Sequence, residues 1–252
     1  FERDDAPPWL VERLEGAGAL ARSNGRLKST VRVSRLRGRL YLHSAFPTDD
    51  EDAVFFGPDS YRYADLLARE IRPGETGRIV DVGGGAGVGA IVAADLAPQA
   101  QLTLTDVNRQ ALRLARINAA HAGKPIELVE TAGLDAVEGP LDLVIANPPY
   151  MADSEQTYRD GGGLGEDLSV EWAGQALRRL RPGGRLVLYS GSAIREGGRD
   201  VLREKLAELA DQSRASLRYD EIDPDVFGEE LREPAYRTVE RIAVVACVIT
   251  AP

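Results

Sequence analysis

An α/β fold, with a doubly wound and mostly parallel sheet of about seven strands behind a small N-terminal α+β unit, is what the sequence predicts. Three observations carry that expectation. From Arg78 onward short apolar strand candidates alternate with segments of helical period. A glycine-dense turn joins the first of these strands to the first helix, and the fourth strand ends in Asn147-Pro148-Pro149-Tyr150.

The strand candidates are residues 78–82, 101–105, 125–130, 141–146 and 184–190, with helices expected over 88–96, 108–121 and 168–180. Strands separated by helices cannot pair as hairpins, so the sheet is parallel and covered on both faces. The pattern then changes: a helix over 199–209, a strand near 217–222, an irregular stretch to Arg237, and a last strand over 240–250 that suits an antiparallel position. Two domains are expected, 1–57 and 58–252. In the first, residues 7–20 read as a short helix with Trp9, Leu10, Leu14 and Leu20 near one face. After the turn at Ser23-Asn24-Gly25, Val31 and Val33 alternate with Arg32, and 40–42 returns across Arg37-Gly38 as a hairpin. The acidic stretch 49–52 reads as a surface loop. Pro58 in the first turn and Pro73-Gly74 beyond the end bracket a helix over 58–71.

At 252 residues and 43% hydrophobic, the chain can bury one sizeable core plus a small appended unit. Its single cysteine, Cys247, excludes an internal disulfide and a cysteine metal cluster, so a reducing cytoplasm is the expected compartment and no metal site is expected. The longest apolar run, 242–251, is half of what a membrane-spanning helix needs, and no charged-then-apolar leader is visible. The chain opens on Phe1, which leaves open what precedes it. Charge is segregated. Seven cations and no acid lie between Ala21 and Thr48, so of the net −9 the rest of the chain carries −16 (−9 less 7). A solvated hairpin and a docking surface for RNA, DNA or an acidic protein both fit that pattern.

Residues 79–82 run directly into Gly83-Gly84-Gly85-Ala86-Gly87-Val88-Gly89. A strand, a turn too tight for side chains and a helix N-terminus together let backbone N–H groups approach a ligand. Gly85-Ala86-Gly87-Val88-Gly89-Ala90 also fits a dinucleotide turn, so a nicotinamide or flavin enzyme is a rival. Asp106, at the end of the next strand, can accept both hydroxyls of a ribose, or can cap the helix that follows. Asp81, just ahead of the glycines, favours a cationic ligand and would repel a pyrophosphate.

Two consecutive prolines after an apolar strand stop the ladder and stiffen the backbone, which holds the carbonyls of Asn147 and Pro148 still. An amide or aryl amine nitrogen is a poor nucleophile because its lone pair is delocalised. If the Asn147 side-chain oxygen and the Pro148 carbonyl accept its two hydrogens, the lone pair is aimed and the developing positive charge is stabilised. Tyr150 can stack on a flat target. A rigid loop without chemistry is the plain alternative. His43 and His121 read as surface or packing residues; Tyr61 and Tyr63 could line the pocket or pack in the core; 223–231 could shape a substrate mouth or be a solvated connection.

With these residues in view the chain resembles class I S-adenosylmethionine methyltransferases, through residues 81–89, Thr105-Asp106-Val107, Asn147 to Tyr150 and Leu180-Arg181-Pro182-Gly183-Gly184. The resemblance implies a Rossmann-like sheet of order 3-2-1-4-5-7-6 with the last strand antiparallel, and S-adenosylmethionine as cofactor. It places the cofactor on Asp81, Gly83, Gly85, Gly87, Asp106, Val107 and Asn147. The family often has an acid at the adenine turn, where this chain has Thr131-Ala132-Gly133-Leu134, so backbone groups near Ala132 and Gly133 would read adenine. Catalysis falls to Asn147, Pro148 and Tyr150. The tetrapeptide is similar to that of the HemK-type enzymes acting on release-factor glutamine and of enzymes acting on the exocyclic amine of adenine. The Gly161-rich segment resembles the glutamine branch, and the basic hairpin suits RNA or DNA. The implied function is N-methylation, with a protein glutamine amide preferred, a translation-related protein as partner, and a nucleic-acid base as the alternative. A non-catalytic cofactor-binding protein is the remote alternative. The oligomeric state is not legible.

Overall fold

The computed structural model describes residues 1–48, 50–152 and 159–252. Asp49, at the head of the acidic loop, lies outside them. The N-terminal unit holds helix α1 (Pro8–Gly16), a hairpin of β1 (Leu20–Ser23) and β2 (Arg26–Ser29), and a second hairpin of β3 (Val31–Leu36) and β4 (Arg39–Ser44). Two expectations are corrected here. The helix expected over 7–20 stops at Gly16, because the chain reverses through Gly18 at φ +66 and Leu20 already pairs with Ser29. Its apolar face is not a core face either: Trp9 is 61% exposed and only Val11 in α1 is buried. Both hairpins turn on two left-handed residues, Asn24-Gly25 (φ 50 and 77) and Arg37-Gly38 (φ 46 and 80), the geometry whose twist matches paired strands. The second hairpin is fastened to the rest of the chain. Leu36 and Tyr41 join its core, Asn118 exchanges hydrogen bonds with Leu42 N–H (2.8 Å) and its carbonyl (2.9 Å), and Arg39 pairs with Asp95 at 2.8 Å.

The larger part runs α2 (Pro58–Glu70), β5 (Arg78–Val82), α3 (Val88–Leu96), β6 (Gln101–Asp106), α4 (Arg109–Ala122), β7 (Ile126–Glu130), β8 (Leu141–Ala146), α5 (Asp167–Leu177), β9 (Leu180–Arg195), the short β10 (Arg199–Asp200), α6 (Val201–Gln212), β11 (Ser216–Val226) and β12 (Val239–Thr250). The sheet order is β11-β12-β9-β8-β5-β6-β7, with β7 to β9 parallel and β12 antiparallel to both neighbours. Numbered within the sheet, with β10 set aside as a bridge on β9, this is the expected 3-2-1-4-5-7-6.

The strands at the antiparallel end are longer than their local patterns suggest. β9 pairs with β12 from Arg185↔Thr250 to Arg195↔Val239, and β11 follows β12 to Val226 through two register shifts. Each long strand satisfies its neighbour's backbone groups, a gain that no single segment advertises. One face of the sheet is covered by α2 and α3 over Ile79, Leu143, Ile145 and Val187; the other by α5 and α6 over Val80, Val144, Leu186 and Cys247. The chain leaves β5 for β6 and β7 on one side, then crosses from β7 back to β8 on the other side of β5. A crevice opens at the carboxyl ends of strands at such a reversal.

Candidate active site

Gly83, Gly84, Gly85 and Gly89, with the carboxylate of Asp81, build the floor of that crevice. Gly83, Gly85 and Gly87 take φ of 63, 53 and 84, which a side chain would disfavour, and the Gly84 N–H donates to the Thr105 carbonyl at 3.0 Å. Gly89 lies against Asp81: a Cβ there would sit 2.6 Å from Oδ1. Asp81 is 1% exposed and accepts from the Ala90 N–H at 2.7 Å and the Tyr63 hydroxyl at 3.2 Å. Burial pushes its carboxyl up to about 7, while those two hydrogen bonds oppose the shift and the nearby Asp106 charge adds to it. Asp81 therefore both ties the turn together and lines the cavity.

Asp106 ends β6 and accepts from the Gly85 N–H (2.9 Å) and the Asn108 N–H (2.9 Å), one donor per oxygen. The cap of α4 is Asn108, whose side chain accepts from Gln110 N–H at 2.8 Å, so Asp106 keeps lone pairs for a ligand. Burial raises its carboxyl and backbone donors pull it back. Val107 stands 66% exposed at the rim. The Thr105 hydroxyl holds the Gly133 carbonyl at 2.8 Å, which brings Gly133 into the wall. Gly87 and Ala132 are not brought in. Gly87 starts α3, with its carbonyl accepting from the Ile91 N–H, and Ala132 faces solvent.

The opposite wall of this ≈ 450 Å³ cavity is formed by residues 147–151 with Asp59, Tyr63 and Phe227. Asn147 is half-buried, and neither its side chain nor the Pro148 carbonyl makes a hydrogen bond among the described residues. Gly161 and Gly165 pack so closely on the backbone of Pro149 and Tyr150 that a Cβ on either would collide with it. The Gly161-rich segment is thus the backing of the tetrapeptide. Tyr150 is 8% exposed, its hydroxyl donating to Asp59 Oδ2 at 2.7 Å and its ring 6.1 Å from that of Phe227.

Of the residues with two readings, Tyr63 lines the cavity while Tyr61 lies outside it, donating to the Arg35 carbonyl at 3.1 Å. His43 is buried and stacked on Phe56, and His121 is exposed, away from the cavity. Phe227, from the 223–231 stretch, reaches the cavity with a left-handed backbone (φ 54). Sequence reasoning missed Asp59, which looked like an ordinary acid in a first helical turn, and Trp172, whose ring covers Gly83 from α5. The FGPDS stretch at 56–60 offered no spacing that could link it to Tyr150, 91 residues away. Among the described residues no cluster suited to a metal occurs, and no helix is long and apolar enough to cross a membrane.

The family model described as methyltransferase small domain matches residues 54–214. A release factor glutamine methyltransferase of Deinococcus radiodurans is 31% identical over 209 residues, covering 81% of this chain and 74% of that one. A ribosomal RNA small subunit methyltransferase C of Cronobacter sakazakii is 33% identical over 131 residues, 52% of this chain and 36% of that one, so the chain spans about a third of that relative. A solved methyltransferase from Pyrococcus furiosus superposes with TM-score 0.54 at 21% identity over 79% of this chain and 88% of that one. Trm5b from Pyrococcus abyssi gives 0.61 at 16% over 92% and 62%; at these identities the likeness is one of fold. The chain belongs to the methyltransferase small domain family and is an enzyme whose methyl donor is S-adenosylmethionine.

Proposed function

We propose that this enzyme methylates a planar nitrogen held by Asn147 and Pro148, with the side-chain amide of a protein glutamine as acceptor. The observation that carries the reading is the pair of carbonyl acceptors, Asn147 side chain and Pro148 backbone, lining the same cavity as the glycine turn and unengaged among the described residues. The residues present fit the cofactor. Added Cβ atoms at Gly84 or Gly89 would collide with Asp81 or its neighbours, as expected of a turn shaped for close backbone approach, and Asp81 and Asp106 offer carboxylate oxygens to a cation and a ribose. When bound, S-adenosylmethionine supplies an electrophilic methyl group.

The chain's own residues then orient the acceptor. The two carbonyls accept the two hydrogens of the –NH2 group, which aims the lone pair away from them and stabilises positive charge as it develops. One preorganised dipole of this kind is worth about 3 kcal/mol. Tyr150 and Phe227 give the flat group two aromatic walls. Among the described residues no histidine lines the cavity. None is needed, because the nitrogen becomes acidic as its bond to carbon forms.

Glutamine is favoured by the long match to the release-factor enzyme and by the glycines that back the tetrapeptide. A translation-related protein in the cytoplasm is the corresponding partner. A second reading, an exocyclic amine of an RNA base, is favoured by the N-terminal unit, residues 1–57, which we assign to substrate docking. There Arg37 and Arg39 are spent on Asp65 and Asp95, while Arg26, Lys28, Arg32 and Arg35 have no ion pair among the described residues. Methyl transfer from tritiated S-adenosylmethionine into fractionated cell extract, followed by protease or nuclease digestion, tests both. Protease-released label supports glutamine; nuclease-released label moves the assignment to RNA. No label in either fraction removes N-methylation of a macromolecule.

A further inference from the structure

We propose that Asp59 is a positioning residue for methyl transfer, its carboxylate clasping Tyr150 and Tyr189 so that the 147–150 loop is held rigidly against the sheet. This rests on the reading that the loop holds the acceptor. Asp59 sits in the first turn of α2, where an acid ordinarily faces solvent and gains a few tenths of a kcal/mol from the helix dipole. Here it is 5% exposed. Its two oxygens are divided: Oδ2 accepts from Tyr150 at 2.7 Å and Oδ1 from Tyr189, on β9, at 2.7 Å. Three elements distant in sequence therefore meet on one charge.

A carboxylate does something here that other side chains cannot. It is acceptor-only, so it takes two hydroxyl donors at once, and charge-assisted hydrogen bonds are short and strong. Arg62 supports it from the same helix, 3.5 Å from Oδ1, and reaches on to Asp223 at 2.7 Å, in the strand that ends one residue before Phe227. Both aromatic walls of the acceptor side are thus tied to one cluster. With its hydroxyl spent on Asp59, Tyr150 contributes its ring, and Asp59 decides where that ring and the adjoining Asn147-Pro148 carbonyls stand. Displacement of an acceptor by about 1 Å costs on the order of a hundredfold in rate. Tyr63 on the same helix grips Asp81 on the cofactor side, so α2 spans both halves of the cavity.

The test is Asp59→Asn, which keeps the shape but turns one acceptor into a donor facing a tyrosine hydroxyl. Transfer into cell extract is expected to fall about 30- to 100-fold in kcat. The Kd for S-adenosylhomocysteine, by calorimetry, is expected to stay within about threefold. Tyr150→Phe should reproduce the rate loss, and Asp59→Asn with Tyr150→Phe should lose no more than the worse single variant, since both break one link. Tyr189→Phe, which leaves the Tyr150 link intact, should lose less than about tenfold. A lowered melting temperature with unchanged kcat would make the cluster a packing feature and overturn the proposal. So would cofactor affinity falling in step with rate. A wild-type protein that labels nothing defeats the transfer reading and this inference with it; wild-type transfer matched by Asp59→Asn defeats this inference alone.

Discussion

The two halves of the cavity are built in opposite ways. The half we propose for the cofactor is mostly backbone: the turn from Gly83 to Gly89, with the carboxylates of Asp81 at one end of the same stretch and Asp106 on the adjacent strand, joined by bonds such as Gly84 N–H to the Thr105 carbonyl. The half we propose for the acceptor is mostly side chain: Asn147 and Tyr150 after β8, Asp59 on α2 and Phe227 beyond β11, with the Pro148 carbonyl beside them and Tyr189 on β9 bonded to Asp59. Local chain geometry makes the first, and long-range packing makes the second. A backbone cradle recognises a constant ligand, whereas a side-chain wall can be altered one residue at a time, which suits the half that selects the acceptor.

That division makes the halves separable by mutation. The largest effect is expected from Asn147→Ala, which removes one of the two acceptors: kcat should fall about 100- to 1000-fold while the cofactor Kd moves less than about threefold. Equal losses in both would show that Asn147 serves the cofactor half as well. Gly89→Ala is the converse. A Cβ 2.6 Å from the buried Asp81 carboxylate has nowhere to go, so cofactor affinity should drop more than about tenfold and unfolding free energy by about 1–3 kcal/mol. Calorimetry and thermal melts read the two, and normal binding would deny Asp81 and the turn their coupling.

A gentler perturbation is pH. Asp81 is held up to about 7, above its unfolded value, so ionising it costs the empty protein stability as pH rises from the carboxylate range through about 7. A bound cation favours the ionised form. Below about 7 the cofactor must expel a proton to bind, and its affinity should fall by up to about tenfold per pH unit. An affinity independent of pH across that range would place the cationic end of the cofactor away from Asp81. The smallest effect is expected on the N-terminal unit: Arg32→Glu with Arg35→Glu should weaken capture of the methyl acceptor by about three- to tenfold at low salt and less at high salt. Unchanged capture at every salt concentration would reduce the hairpin to solvated surface.

Much of this was legible in advance for an identifiable reason. The alternation from Arg78 to Ser190, the glycine turn and the prolines at 148–149 each act within a few residues, and β5, α3, β6, α4 and β8 stand where periodicity puts them. The second N-terminal turn was legible too, from Arg37-Gly38. The extra hairpin at 20–29 was not, since its strands are short and polar and are held by cross-strand pairing from Leu20↔Ser29 to Ser23↔Arg26 and by backbone bonds between Phe1 and Leu27. Nor were the full lengths of β9 and β11.

By itself the sequence determined the alternation of strands and helices in a mostly parallel sheet and the glycine turn, because hydrophobic period, glycine at positive φ and proline-stiffened backbone are local rules. Only the tertiary structure decided that Asp59 faces two tyrosines instead of water, that Asn108 and not Asp106 caps α4, and that Phe227 lines the cavity beside Tyr150. Each of those depends on which distant side chain arrives to share a buried polar group. Spacing along a chain carries no record of that.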